Sequence, residues 1–121
     1  MSLLSAFTNQ LMNLMNELHE LYPEDRDIET KKTAIEFIKK TNPRLLVKGF
    51  KKYVYPYKTQ IMEKNEEFFK NNNYNKEVDT SRPDIVKIIM NLKKYWDEIG
   101  EANRNTIWLY FQVMIKLVEK L

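Results

Sequence analysis

"LVKGFKKYVYPYKTQI", residues 46–61, sets Lys48, Lys51, Lys52 and Lys58 among Phe50, Tyr53, Tyr55 and Tyr57, with Pro56 between them. Read in one dimension, the stretch mixes cations and rings. Wound at about 3.6 residues per turn, it separates. Arg44, Lys48, Lys51, Lys52 and Tyr55 share one side of a helix, whereas Leu46, Phe50, Tyr53, Val54, Tyr57 and Ile61 recur at the spacing of a buried stripe. This assigns the rings to a core and the cations to water. Pro56 removes one ladder hydrogen bond and crowds the carbonyl four residues back, so the helix is expected to kink or break there.

The rest of the chain extends that helical reading. Gly49 and Gly100 are the only glycines in 121 residues, and strand-and-turn folds need many more positive-φ positions. The fold predicted is all-α: a compact bundle of about five helices in a single domain, the third broken at Pro56. Hydrophobic residues at 43% and charged residues at 31% fit a folded chain rather than a disordered one.

Element boundaries follow from local chemistry. Leu4, Phe7, Leu11, Leu14, Leu18 and Leu21 alternate by three and four, giving a first helix from about Ser2 to Leu21, ended by Tyr22-Pro23. A second begins at Asp25 or Asp27, either a good N-cap, and buries Ile28, Ala34, Ile35 and Ile38. Asn42-Pro43 closes it and opens the third. Beyond Pro56 the third helix is expected to continue to about Lys70, followed by a flexible polar loop at about 71–81. The fourth starts at Ser81, with Asp84 completing a capping box, and stops at Gly100. The fifth, about Glu101–Leu121, is apolar around most of its circumference, so it is expected to lie centrally and to pair with the fourth as an antiparallel hairpin. Phe50, Tyr53, Trp96, Trp108 and Phe111 are the predicted core anchors, and Met12, Met15, Met62, Met90 and Met114 are read as packing residues.

Chemistry is narrowed more than it is named. The absence of cysteine excludes disulfides, zinc–thiolate sites and cysteine nucleophiles. His19 stands without a partner at metal spacing, and Glu66-Glu67 and Asp97-Glu98 point about 100° apart on helices. No glycine-rich phosphate loop, nucleophile elbow or calcium loop is present. No catalytic residue, metal or cofactor is expected, and the chain is read as a non-enzyme. The start lacks a basic leader, and Asn9, Gln10, Asn13 and Asn16 interrupt its apolar run. No window offers ~18 apolar residues, so an intracellular protein without a membrane span is expected.

Charge is distributed unevenly. Residues 31–58 hold nine lysines or arginines against Glu36 alone, while residues 1–30 hold six acids against Arg26 alone. Arg44, Lys48, Lys51, Lys52, Tyr55 and Lys58 form a basic helical face, which Lys31, Lys32, Lys39 and Lys40 would extend. Such a face suits an acidic protein partner, the leading functional reading, or the phosphates of nucleic acid bound nonspecifically, or it simply solvates the domain. Lysine predominance disfavours sequence-specific DNA reading, which relies on bidentate arginine.

The C-terminal third, "NLKKYWDEIGEANRNTIWLYFQVMIKLVEKL", resembles a pattern in small helical proteins of nucleocytoplasmic large DNA viruses. There, a helix ending in tryptophan and a polar turn precede an "IW-x-Y-x-Q" helix, matched here by Trp96, then Ile107, Trp108, Tyr110 and Gln112. "LYPEDRDI" and "NPRLLVKGFKKYVYPY" are loosely similar to the same group. The resemblance implies a viral protein made in the cytoplasm of an infected cell and associated with the virion. It carries no catalytic or binding residue onto this chain.

Overall fold

The structure, a computed structural model, describes residues 2–71 and 84–121. Its described residues form seven α-helices and no strand: α1 (Leu3–Leu21), α2 (Arg26–Thr41), α3 (Pro43–Tyr53), α4 (Lys58–Met62), α5 (Glu66–Asn71), α6 (Asp84–Tyr95) and α7 (Glu101–Val118), with a 3₁₀ turn at Tyr55–Tyr57. The all-helical class agrees with the sequence; the count exceeds the expected five because the stretch expected as the third helix is divided into α3, α4 and α5.

α1 begins at Ser2, whose Oγ accepts from the Ser5 N–H at 3.0 Å and so satisfies one orphan donor of the first turn. Phe7, Leu11, Leu14, Met15 and Leu18 are fully buried, and Thr8 and Met12 widen the stripe, while Leu21 at its end stays exposed. α1 packs against α2, α3 and α7. α7 likewise has several neighbours: it packs on α1 and α4, and its Trp108 and Phe111 meet Phe69 of α5, Trp96 and Phe50 of α3. α7 buries Ile107, Trp108, Phe111, Met114, Ile115 and Val118 but turns Leu109, 58% exposed, to solvent. Its high apolar content reflects an outward leucine rather than enclosure on all sides.

α2 is capped by Asp25, whose Oδ1 accepts from the N–H groups of Asp27 (2.9 Å) and Ile28 (3.3 Å). α3 opens with Pro43 at its first turn, as expected, although the Asn42 side chain makes no capping bond. It ends at Tyr53, and the Tyr57 N–H closes the 3₁₀ turn that contains Pro56 by donating to Val54 O at 2.9 Å.

The continuation to Lys70 is interrupted. Lys64 has φ 54°, Lys64 N–H donates to Ile61 O, and Asn65 N–H reaches back to Gln60 O at 2.9 Å. This is a Schellman termination with lysine where glycine is favoured. Asn65 Oδ1 then caps α5 by accepting from Phe68 N–H at 3.0 Å.

α6 ends at Tyr95, not at Ile99. The N–H groups of Glu98 and Ile99 both donate to Tyr95 O at 3.0 Å, and Arg104 from α7 covers the carbonyls of Trp96 (2.9 Å) and Asp97 (3.2 Å). Gly100 is extended (φ −62°, ψ 156°) and occupies the N-cap position of α7, so it is not the expected C-terminal stop. α6 packs chiefly on α2 and α3, and the expected hairpin with α7 is replaced by a corner where Trp96 and Trp108 meet edge to face at 5.5 Å. Ser81 and the expected loop at about 71–81, apart from Asn71, lie outside the described residues.

Candidate interaction face

α3 buries Leu46, Val47 and Phe50 against the core, which leaves its other side to solvent. Leu45, Lys48 and Lys52, at i, i+3 and i+7, form the exposed crest, with Arg44 and Lys51 along one flank. Lys52 Nζ lies 5.3 Å from the centroid of the Tyr53 ring, within cation–π range. Among the described residues, no carboxylate pairs with Arg44, Lys48, Lys51 or Lys52.

Leu45, 51% exposed, was not singled out by sequence reading, nor was Phe37 on the outer side of α2, 66% exposed. A signal existed for Leu45: it precedes the buried Leu46, and adjacent helix positions diverge by about 100°, so both cannot face inward fully.

Tyr55 and Lys58, expected on the same face, lie at its edge and are already engaged. The Tyr55 hydroxyl donates to Glu119 Oε2 at 2.8 Å, and Lys58 Nζ pairs with the same oxygen. Lys58 first, then Tyr55, holds the Glu119 carboxyl below the usual carboxylate range, and the carboxylate in turn raises the Tyr55 phenol and the Lys58 amine. Of the predicted anchors, Phe50, Trp96, Trp108 and Phe111 are buried, and Tyr53 is half-buried against the core. Met62, read as a packing residue, is instead exposed.

The lysines considered as extensions of the face divide. Lys39 Nζ donates to Asn9 Oδ1 on α1 at 2.7 Å, and Lys31 pairs with Asp27 at 2.6 Å, with only 12% of its side chain exposed. Lys31 belongs to a network where α2 meets α6. Asn91 Nδ2 donates to the other Asp27 oxygen at 2.8 Å, while Asn91 Oδ1 is buried without a partner. Beside it, the Tyr95 hydroxyl donates to Asp25, Lys94 Nζ stands 3.7 Å from the same carboxylate, and the Tyr22 and Tyr95 rings stack at 3.7 Å. The Tyr95 hydroxyl chiefly holds the Asp25 carboxyl low; Lys31, then Asn91, does the same for Asp27. Each acid here is committed to a structural partner, so the network reads as a fastening of α2 to α6.

One acid of each pair noted in the sequence acts likewise. Glu66 Oε1 accepts from Trp96 Nε1 at 3.1 Å, and Asp97 pairs with Lys70 at 2.8 Å. His19 is half-buried, with Nδ1 unpartnered. Among the described residues, no group of three His, Cys, Asp or Glu could hold a metal, and no helix is long and apolar enough to cross a membrane. Comparison with protein families, curated proteins and solved structures returns no match to this chain.

Proposed function

We propose that the chain is a single-domain, non-enzymatic protein-interaction module, of viral origin and made in the infected cell or carried in the virion, that engages an acidic partner through α3. The observation that supports this reading is the contrast in how cations are used. Lys31, Lys58, Lys70, Lys94 and Arg104 all stand within 4.0 Å of a carboxylate, whereas the α3 cations have none among the described residues. Leu45 sits within the cationic crest, and Phe37 supplies a second exposed apolar group on the neighbouring helix. A partner surface that carries acids around an apolar residue would complement this arrangement: the charges steer the encounter, and the leucine contributes buried area.

The test is a titration of an acidic amphipathic peptide, rich in glutamate and leucine, against wild type and the double variant Lys51→Glu/Lys52→Glu. Affinity is expected to fall at least about tenfold in the variant, equivalent to about 1.4 kcal/mol. Equal affinity for both proteins would remove the α3 face from consideration. Random-sequence duplex or single strands run in parallel at ~50 mM salt, where phosphate binding is strongest, decide the alternative. Tighter binding of those strands than of the peptide, falling steeply with added salt, would make the protein a nonspecific nucleic-acid binder that uses the same lysines.

A further inference from the structure

A cavity of about 50 Å³ lies where the 3₁₀ turn, α4, α5, α6 and α7 meet, away from the α3 crest. Two departures from simple helical continuation create it. The positive-φ turn at Lys64 redirects the chain between α4 and α5, and α6 leans on α2 and α3 instead of lying along α7. The wedge between them is filled incompletely by Tyr57, Phe68, Phe69, Trp96, Trp108 and Phe111.

These rings hold one another in place. Phe69, Trp96 and Trp108 meet edge to face at 4.9, 5.5 and 6.0 Å, and Tyr57 and Phe68 lie 5.4 Å apart. Interlocked rings of this kind do not collapse readily into a small void. The Trp96 Nε1–H is taken by Glu66, so this indole offers the interior no donor. Among the described residues, no Lys, Arg, Asp, Glu or His lines the cavity. A charged guest would lose its hydration without compensation, whereas a neutral apolar one would replace contacts that the lining lacks.

The lining also includes two amides. Asn65 Oδ1 is used by Phe68 N–H, but among the described residues the Gln60 side chain makes no hydrogen bond, and it is half-exposed. The volume sets a further limit. A dry cavity of about 150 Å³ takes benzene whole; a third of that accepts only one end of a molecule.

We propose that this cavity is a binding site for a small neutral molecule that enters by an apolar end, the edge of a single ring or a branched aliphatic group, and leaves one hydroxyl or carbonyl beside Gln60. The proposal does not depend on the α3 face, and charge reversal at Lys51 and Lys52 should not alter it.

Benzyl alcohol and cyclohexanol serve as probes on the full chain, with tryptophan emission and amide NMR shifts as readouts. Both alcohols are expected to give saturable changes, with shifts clustered on the lining residues. Ile61→Phe, which fills the space, should lose the response while the far-UV signal persists. Gln60→Leu should weaken benzyl alcohol about fivefold, the worth of about one neutral hydrogen bond, and leave toluene unaffected. Changes that rise linearly without saturation, shifts scattered over the surface, or benzoate and benzylammonium binding as well as benzyl alcohol would each overturn the proposal. Should Ile61→Phe not fold, the shift map of the wild type decides alone.

Discussion

The α2–α6 junction and the outer side of α3 carry the same residue type, lysine on an amphipathic helix, and use it in opposite ways. At the junction Lys31 is nearly buried and locked to Asp27, which also receives Asn91. On α3, Lys48, Lys51 and Lys52 are exposed, and no carboxylate among the described residues pairs with them. A lysine's meaning is therefore fixed by what stands across from it in space, not by its position along the helix. The junction lysine contributes to cohesion; the crest lysines contribute a field directed outward.

The sharpest way to break this contrast is Asp27→Ala. It would leave Asn91 without its hydrogen bond in a buried position and Lys31 without its partner, so a loss of about 2–3 kcal/mol in urea unfolding is expected. A loss under about 0.5 kcal/mol would place Asp27 with ordinary surface residues instead.

Acid should act on the same junction. The Asp25 and Asp27 carboxyls are held below their ordinary values in the folded protein, so their contribution is fully present above the unfolded value, about pH 4, and fades as pH falls through the lower folded values. Unfolding midpoints followed from pH 7 to about pH 2.5 should drop in that window. The double variant Asp25→Asn/Asp27→Asn should show a shallower decline; an identical profile would assign the acid sensitivity elsewhere.

A smaller effect of opposite sign is expected at Lys64. Glycine there removes the steric penalty of the left-handed conformation, so Lys64→Gly should stabilise by up to about 1 kcal/mol in the same assay. Destabilisation would mean that the lysine stem contributes more than its backbone strain removes. Smallest of all, Lys48→Ala or Lys51→Ala should stay within about 0.5 kcal/mol of wild type. A larger loss from either would show that the crest helps hold the fold together.

Features set by neighbours in sequence were legible from the start. Ser2, Asp25 and Pro43 begin helices because capping and proline chemistry act within one turn. The inward turn of Phe50 and the outward turn of Lys48, Lys51 and Lys52 follow from the 3.6 period alone. What escaped depends on distant partners or on an unfavourable backbone choice. Glu119 reaches Tyr55 across 64 positions, and Arg104 covers carbonyls at the end of a helix other than its own. Lysine at Lys64 gave no hint of a positive φ, because its side chain disfavours one. The neighbours of α1 and α7 depend on which helices pack around them, and periodicity within one helix does not carry that information.

The edge-to-face contact of Trp96 and Trp108 has a spectroscopic consequence. Two indole chromophores 5.5 Å apart and inclined at 79° lie in a fixed, asymmetric relation, so they should give the folded chain a pronounced near-ultraviolet circular dichroism band. Because the two rings sit on either side of the α6–α7 corner, that band reports the corner directly. Its disappearance while far-ultraviolet ellipticity survives would mark a state in which the helices remain wound but no longer fit against one another.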